Sequence, residues 1–202
     1  MRVLLELRPA LDGHAGIPQE TRLLFRGLGL LKGLSVEGLM QSSNRVIAGG
    51  LPAGFEGWRE HRRIHSLSRV VVSLQQSSRP SRKERLIAGL QLLLKPAQML
   101  LGRLLGRRLA LGHFEPEQFR DFVWRAMFAK TLPHDDFAAV TAARFRVCRL
   151  PWSALHATGL LTARFGRAVY PRLDTRGYEV MIAETPYPGR VAPGTRLVVR
   201  YH

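Results

Sequence analysis

The sequence predicts an α/β protein in which helices cover both faces of a Rossmann-like parallel sheet. Apolar stretches typical of buried strands alternate along the chain with segments of helical periodicity, and this alternation favours a parallel sheet. The first strand runs into a glycine-bearing turn and then a helix, which is how many doubly wound folds begin. A leucine-rich stretch departs from the alternation and predicts a helical insertion at about 84–130.

The first half of the chain predicts a β-α-β order. An apolar run predicts a strand at Arg2–Leu7, and a helix is predicted at Pro18–Leu31 because proline suits the first turn of a helix. Val36–Ile47 is predicted to be a strand and its exit. Val70–Leu74, a short run rich in β-branched residues, is predicted to be a buried strand. Glycine and proline mark a loop at 49–54, between these two strands.

The second half returns to strands after a helical segment at Pro116–Lys130. Arg146–Leu150 is predicted to be a strand. The helix Ser153–Phe165 should follow, with Ser153 as its N-cap, since a serine oxygen can accept hydrogen bonds from the unpaired N–H groups of the first turn. Tyr178–Ala183 and Arg196–Tyr201 are predicted to be two further strands of the same sheet.

Composition indicates a folded chain of one domain or a small pair, whose basic charge fits an anionic partner or reflects a general bias toward arginine. Of the 202 residues 46% are hydrophobic, which excludes wholesale disorder. The single cysteine, Cys148, cannot form an internal disulfide, so a reducing compartment is expected and a secreted disulfide scaffold is excluded. No apolar run reaches the roughly 18 residues of a membrane-spanning helix, and we expect a cytoplasmic protein. The formal net charge of +16 favours anionic lipid, nucleic acid or phosphorylated ligands.

The leucine-rich stretch Glu84–Arg108 is predicted to be an amphipathic helix with a kink at Pro96. Its basic polar stripe favours the interface of an anionic membrane, where each cation contributes about 1 kcal/mol. A wide apolar face is also typical of a helix packed on a sheet, so both alternatives stay open. On the membrane alternative, the face in contact with lipid comprises Leu93, Lys95, Leu100, Arg103, Leu104 and Arg107.

The turn after the first strand has the features of an anion site. Gly13 and Gly16 can take positive φ and let a ligand approach the backbone. The helix that follows presents unpaired N–H groups and the positive end of its dipole at the same place. Many α/β folds use the same pattern as a purely structural turn, and this alternative also stays open.

Other residues that could carry chemistry have simpler structural explanations. His61 and His65 are spaced to share a helix face, but no third ligand is identifiable and the intervening arginines repel a cation, so no metal site is expected. His134–Asp136 is expected to cap a helix rather than to bind an ion. Ser153 and His156 lack the G-x-S-x-G turn of a hydrolase nucleophile. No nucleic-acid-binding motif is evident, and nucleic acid is not an expected partner.

Both ends of the chain carry motifs that resemble those of a known protein family. At Val3–Thr21 a first strand and a glycine-isoleucine turn lead into the first helix, and this segment resembles the opening of bacterial family 4 glycosyltransferases. Tyr178–Pro186 and Thr195–His202 resemble the paired strands that close the family's N-terminal domain, where the second strand usually runs into His-Asp. The middle of the chain is divergent, and Pro18-Gln19 stands where many relatives carry a basic residue.

The resemblance implies the N-terminal, acceptor-binding half of a retaining GT-B glycosyltransferase, in which two Rossmann-like domains face a cleft. Its substrates would be a nucleotide sugar, which is a donor and not a cofactor, and a saccharide or lipid-linked saccharide acceptor. The C-terminal donor domain would be absent, so this half alone is expected to be inactive. An enzyme of polysaccharide biosynthesis would suit a peripheral place on the inner membrane face. The resemblance assigns the donor-phosphate loop to Gly13, His14, Ala15, Gly16 and Ile17, the acceptor side to Glu184 and Thr185, and a catalytic position to His202.

Two other functions remain open from the sequence. A basic chain with an amphipathic leucine-rich helix also fits a membrane- or nucleic-acid-binding module without transferase activity. A Rossmann-like domain that binds some other phosphate ligand would carry the same turn after its first strand.

Overall fold

The computed structural model describes residues 1–75 and 106–201. Within these ranges six strands form one sheet, in the order β3-β4-β2-β1-β5-β6. Every neighbouring pair of strands is parallel except β3 with β4. The predicted α/β fold with a mostly parallel sheet is therefore confirmed. The strands are β1 (Arg2–Glu6), β2 (Ser35–Met40), β3 (Gly112–Phe114), β4 (Arg144–Val147), β5 (Val180–Ala183) and β6 (Arg196–Val199).

Helices connect most of these strands. None of the helices in the described part of the chain is long and apolar enough to cross a membrane. The segment predicted at Pro116–Lys130 is helical, with a 3-10 turn at Glu117–Phe119 and a π-helical turn at Trp124–Phe128 on either side of a short α-helix. The α-helices are α1 (Arg8–Asp12), α2 (Ile17–Gly29), α3 (Glu60–Gln75), α4 (Arg120–Val123), α5 (Phe137–Thr141) and α6 (Trp152–Ala163).

The parallel strands follow the order of a Rossmann sheet. The five parallel strands lie across the sheet in the order β4, β2, β1, β5 and β6. When they are numbered in chain order, this is the strand order 3-2-1-4-5. The chain therefore moves outward in one direction from β1 and then returns to continue on the other side with β5. In such sheets the crevice beyond the carboxyl ends of the two strands at the reversal is the usual ligand site.

Side chains alternate between two cores, one on each face of the sheet. Leu5 of β1 packs in a core with Phe25 of α2 and Val70 of α3. Leu4, one residue earlier, packs on the opposite face in a core with Leu155 of α6. Burial on both faces explains why the central strands are apolar runs in the sequence.

The predicted strand at Val70–Leu74 is wrong, because these residues lie inside α3. Leu67, Val70, Val71 and Leu74 recur at the spacing of one helix face, and all four pack in the core that contains α2. A short run of β-branched residues does not distinguish a buried strand from the buried side of a helix. Here the longer helical repeat, together with packing on the sheet, determines the structure.

Two predictions in the second half need correction. The strand predicted at Arg146–Leu150 begins two residues earlier, at Arg144, where β4 pairs with Glu37 of β2. Ser153 is not an N-cap, because α6 begins at Trp152 and no side chain caps it. The N–H groups of Trp152 and Ser153 instead donate to the carbonyl oxygens of Ser42 and Ser43 at 2.9 Å. Carbonyl groups of the loop after β2 thus accept the hydrogen bonds that the Ser153 hydroxyl was expected to accept.

Two short elements were not predicted from the sequence. The antiparallel edge strand β3 has only three residues, and α1 has five, so neither repeats its period often enough to be recognised. The helix α1 changes the geometry of the first turn, because β1 is followed by α1 before the chain reaches the glycines and α2.

Candidate functional site

The candidate site lies at the carboxyl ends of β1 and β5, where the order of the strands reverses. β1 ends at Glu6 and is followed by Leu7 and Arg8, and β5 ends at Ala183 and is followed by Glu184 and Thr185. Neighbouring parallel strands bring their carboxyl ends to the same edge of a sheet, so these residues meet although almost 180 positions separate them.

Arg8 joins the two strand ends directly. Its Nε donates to Oε1 of Glu6 at 2.8 Å, and its Nη2 donates to the Thr185 hydroxyl at 2.6 Å. The guanidinium also lies 5.0 Å from the ring centroid of Trp152 at the start of α6. These three contacts hold a cation at the edge of the sheet while its side chain stays largely buried.

Glu6 is the most perturbed carboxyl group of the site. Its side chain is fully buried, Oε1 accepts from Arg8, and Oε2 has no hydrogen-bond partner in the described part of the chain. Burial raises the pKa of Glu6 to about 7, and the nearby carboxylates of Asp12 and Glu184 add to this effect, while Arg8 opposes it. A carboxyl group whose pKa is raised this far, beside a specific cation, is typical of functional sites.

We predict that Glu6→Gln changes how stability depends on pH. Because the folded state raises the pKa of Glu6 from its ordinary value near 4.5 to about 7, its contribution is fully present below pH 4.5 and is lost as the pH rises through 7. Glutamine does not titrate. Between pH 4 and 8 the free energy of unfolding of the unaltered protein should therefore fall by roughly 3 kcal/mol relative to that of the variant.

Urea unfolding at several pH values measures this difference. Glu56→Gln, which changes an exposed carboxylate, is the matched control and should leave the pH dependence unchanged. Parallel curves for Glu6→Gln and the unaltered protein would contradict a carboxyl group that titrates near pH 7.

A pocket of about 510 Å³ opens beside Arg8. We call it the Trp152 pocket, and its volume lies in the range of small-ligand sites. Trp152 stacks on His156 with ring centroids 4.8 Å apart, so the wall of the pocket is a broad aromatic surface. Flat apolar rings beside a few fixed polar groups suit a ring-shaped polar ligand. The pocket is lined by Arg8, Trp152, His156, Tyr170, Thr185, Pro186, Tyr187 and Pro188.

Buried polar groups support the pocket from behind. The Tyr187 hydroxyl donates to Oε1 of Gln41 at 2.9 Å, and Nε2 of Gln41 donates to the carbonyl oxygen of Leu150 at 2.8 Å. These hydrogen bonds fix Tyr187 between the ends of β2 and β4.

Burial raises the pKa of the Cys148 thiol to about 12, so this cysteine stays protonated and is not a nucleophile.

The glycine turn lies at the same edge of the sheet, with His14, Ala15 and Gly16 exposed. Gly16 has the positive φ expected of it, +68°, and immediately precedes α2, which begins at Ile17, one residue before the predicted Pro18. Gly13 does not take positive φ, because its φ of −151° is extended backbone. Its lack of a side chain is needed for another reason, since a Cβ there would lie 2.7 Å from Cγ of Pro18.

Arg22 of α2 anchors this turn from inside the protein. It is fully buried, and its guanidinium donates to the carbonyl oxygens of Ala10, Gly13 and His14. The opposite side of the same group donates to the carbonyl oxygen of Met127 at 2.5 Å and to the Thr131 hydroxyl at 2.9 Å. Hydrogen bonds from Arg22 therefore hold the inner side of the turn in place, while its tip is exposed.

The start of α2 and the acceptor-side residues, which are two parts of the predicted site, lie close to each other. Glu184, which is buried, accepts a hydrogen bond at 3.1 Å from Nη1 of Arg200, the residue after β6. Nη2 of the same arginine lies 3.6 Å from the carboxylate of Glu20 in the first turn of α2. The structure thus brings the start of α2, just after Ile17, toward the acceptor-side residues Glu184 and Thr185.

The remaining predicted site residues divide into two groups. Arg107, assigned to a membrane face, lies in the described part of the chain and is exposed. His202 lies outside the described residues, as do five other residues of the predicted membrane face, so their assignments stay predictions. These five residues are Leu93, Lys95, Leu100, Arg103 and Leu104.

The other histidine-bearing motifs form no metal site in residues 1–75 and 106–201, where no group of three or more potential His, Cys, Asp or Glu ligands comes together. His61 and His65 are exposed on α3. Asp136 occupies the N-cap position of α5, as expected for a carboxylate, but its side chain makes no capping hydrogen bond and pairs with Arg26 at 2.8 Å. The expected place at a helix N-terminus is therefore confirmed, while the side chain serves an ion pair.

Several residues of this site were not predicted from the sequence, among them Glu6, Arg8, Arg22 and Gln41. The sequence did contain one indication of Glu6 and Arg8. Glu6 is a charged residue at the end of an apolar strand and Arg8 follows it closely, where a central strand is buried. A charged residue in such a run has to find a partner inside the protein.

Comparison of the chain with protein-family models, with curated proteins and with solved structures gave no match.

Proposed function

We propose that this chain is the N-terminal, acceptor-binding domain of a retaining GT-B glycosyltransferase. The enzyme would transfer a sugar from a nucleotide-sugar donor to a saccharide, including a saccharide carried on a lipid. The observation that carries the proposal is the hydrogen-bonded link from Glu6 through Arg8 to Thr185 at the strand reversal, with an aromatic pocket beside it. The likeness of both chain ends to family 4 glycosyltransferases supports the same assignment.

Each part of the site has a role in this proposal. The N-terminus of α2, entered through Gly16, would face the donor diphosphate, since N–H groups and the helix dipole favour an anion there. The Trp152 pocket would hold the acceptor, with its aromatic rings against the apolar face of a sugar. Arg8 and Thr185 would bind acceptor hydroxyls and so orient the attacking oxygen. The nucleotide would bind mainly to a second domain.

Calorimetry against a panel of nucleotide sugars tests the proposal. The 202-residue chain and the complete open reading frame that encodes it should be compared under the same conditions. We expect the complete protein to bind one nucleotide sugar in preference to the others and the 202-residue chain to bind none of them tightly. Absence of binding by both proteins would overturn the transferase assignment.

We predict that Gly16→Val reduces turnover of the complete enzyme by roughly 100-fold while the domain stays folded. A β-branched side chain is costly at positive φ, and the change would move the backbone that faces the diphosphate. The measurement is a steady-state rate with the preferred nucleotide sugar, together with a thermal melt.

Gly33→Val is the matched control. Gly33 also has positive φ and open space where a Cβ would lie, but it follows the opposite end of α2. Both variants should lose roughly 1–3 kcal/mol of stability, and only Gly16→Val should lose turnover. Equal turnover losses would remove the glycine turn from the site.

A binding module for anionic surfaces is the second candidate function. The observation that favours it is the basic exposed side of α3, which carries His61, Arg62, His65 and Arg69, together with the net charge of +16. Binding that falls steeply with salt and shows no preference among nucleotide sugars would favour this function over the transferase. The proposed membrane contact of the leucine-rich stretch would then be its principal activity.

A further inference from the structure

A second cavity, of about 570 Å³, lies between β3, β4 and the turn before β5. It shares no lining residue with the Trp152 pocket. One part of its wall is apolar, with Pro52, Ala53 and Leu111, while arginine side chains dominate the remainder. The volume is that of a site for a small organic molecule and exceeds what a single ion requires.

Arg146, on β4, is the most firmly held cation of this cavity. Its Nε donates to the Glu37 carboxylate at 2.8 Å and to the Tyr178 hydroxyl at 2.7 Å. Its Nη1 lies 2.6 Å from Nε2 of His113 on β3. Because a guanidinium only donates, Nε2 of His113 must accept, and the imidazole proton is on Nδ1. Among the described residues Nη2 of Arg146 has no hydrogen-bond partner.

His113 adds no positive charge of its own at neutral pH. Burial lowers the pKa of this histidine, and the neighbouring Arg146 lowers it further. The imidazole therefore acts as a neutral support that keeps the guanidinium in place. The backbone of His113 is fixed as well, since its N–H and carbonyl groups both bond to Leu51.

The cavity has more positive than negative charge. Of the described residues, three arginines line it, namely Arg146, Arg149 and Arg176, against one carboxylate, Asp174. Asp174 accepts from Nε and Nη2 of Arg176, both at 2.7 Å, and lies 3.8 Å from Arg108. Arg149 donates to the carbonyl oxygens of Gly49 and Gly50 and, within residues 1–75 and 106–201, to no carboxylate.

Glu37, the carboxylate that pairs with Arg146, does not neutralise the positive charge of the cavity. Glu37 pairs with Arg2 at 2.9 Å and with Arg146 at 2.8 Å, and Arg144 lies 3.9 Å away. Around Glu37 one negative charge therefore meets three positive ones, of which Arg146 lines the cavity, so Glu37 is not a counter-ion for Arg146 alone. The excess of guanidinium groups in a half-enclosed cavity attracts an anion more strongly than the same charges would on open surface.

We propose that this cavity binds a small phosphate monoester through Arg146, Arg149 and Arg176. Guanidinium groups match the oxygens of a phosphoryl group with paired, charge-assisted hydrogen bonds. The apolar wall at Pro52 and Ala53 receives the organic part of the molecule. This site is independent of the transferase proposal, because none of its residues belongs to the strand reversal at β1 and β5.

Titration calorimetry of the full chain with glycerol 3-phosphate tests the site. We expect saturable binding that the double variant Arg149→Gln/Arg176→Gln weakens about tenfold or more, because two charge-assisted contacts are lost. Arg146 is left unchanged in this variant, since removing it would leave the buried Glu37 short of a partner. Ala53→Trp, which keeps every charge and fills the apolar side of the cavity, should weaken binding as well.

The double variant Arg164→Gln/Arg167→Gln is the matched control. It removes the same number of exposed charges from the end of α6, outside the cavity, and should change affinity by less than about threefold. Vesicles that contain phosphatidic acid distinguish a lipid-borne monoester from a soluble one. Vesicle binding that the cavity variants abolish, with no binding of glycerol 3-phosphate, would assign the same chemistry to a lipid headgroup.

Three outcomes would overturn the proposal. The first is that neither glycerol 3-phosphate nor the vesicles bind. The second is that the control variant loses as much affinity as the cavity variant, which would indicate nonspecific attraction by net charge. The third is that Ala53→Trp, shown by its thermal melt to be folded, binds as well as the unaltered protein.

Discussion

Arg22→Met is expected to lower the free energy of unfolding by about 3–5 kcal/mol. Methionine has a similar length and suits an apolar environment, but it donates no hydrogen bond. The change would leave the buried carbonyl oxygens of Ala10 and Met127 without the donor that they now share. Buried acceptors without partners cost more than the net contribution of a hydrogen bond in the intact protein.

The same change should impair the candidate site. The turn at 13–17 depends on Arg22 for its position, because the guanidinium donates to Gly13 and His14 on the inner side of the turn. Arg22→Lys should not restore stability, since an ammonium group lacks the planar fork that reaches both sides. Any binding of nucleotide sugar by the complete enzyme should weaken in parallel.

Arg26→Met is the matched control for this prediction. Arg26 lies one turn further along α2, has a side chain that is 42% exposed, and pairs only with Asp136 among the described residues, whose side chain is 13% exposed. Its loss should cost about 1–2 kcal/mol, less than the loss of Arg22, because a half-exposed guanidinium leaves one partner behind where Arg22 leaves several. Urea unfolding of the three variants measures the difference, and similar losses for Arg22→Met and Arg26→Met would contradict the anchoring role of Arg22.

Glu37→Gln is expected to cost about 3–5 kcal/mol at neutral pH. The carboxylate is buried in the sheet and receives hydrogen bonds from Arg2, Arg146 and Tyr178. A neutral amide would leave Arg2 and Arg146 without their counter-ion, and its NH₂ group would face donors at a position where the Glu37 side chain is only 1% exposed. A buried charge without its partner is one of the few causes of losses this large.

The stability that Glu37 provides should disappear in acid. Burial by itself would raise the pKa of this carboxyl group, but hydrogen bonds from Tyr178, Arg146 and Arg2 outweigh burial and lower the pKa to about 2. The contribution is therefore complete above the ordinary value near 4.5 and is lost as the pH falls through 2. Over this window the unaltered protein should lose about 3 kcal/mol that the variant does not.

Unfolding of both proteins between pH 2 and 7 measures this effect. Glu117→Gln, at an exposed carboxylate in the turn before α4, should follow the unaltered protein at every pH. The window below pH 4.5 does not overlap the one in which Glu6 titrates, so the two carboxyl groups can be separated. A constant difference between Glu37→Gln and the unaltered protein would contradict the assignment.

The sequence was informative where a pattern is local and long enough to repeat. β1, β5 and β6 are apolar runs, and α2 has proline in its first turn, so their positions were predicted to within two residues or so. Patterns that span less than about two periods did not give a reliable prediction. Val70–Leu74 looked like a strand in isolation, and the three-residue strand β3 had no signal.

The candidate site was predictable only in part. A glycine turn before a helix can be found from residue types and spacing, and so could the strand ends that carry Glu184 and Thr185. The groups that hold the site together could not be found in this way. Arg22 bonds to Met127 across 105 positions, and Tyr178 bonds to Glu37 across 141.

By itself, then, the sequence determined the class of fold, the basic character of the chain and the turn that leads into α2. These properties follow from composition and from neighbours along the chain, which periodicity and turn chemistry report directly. Only the tertiary structure decided which charges are buried, that Arg8 joins β1 to β5, and that one carboxylate serves several arginines beside a cavity. Burial and ion pairing depend on residues that come together through the order of the strands, which no local pattern records.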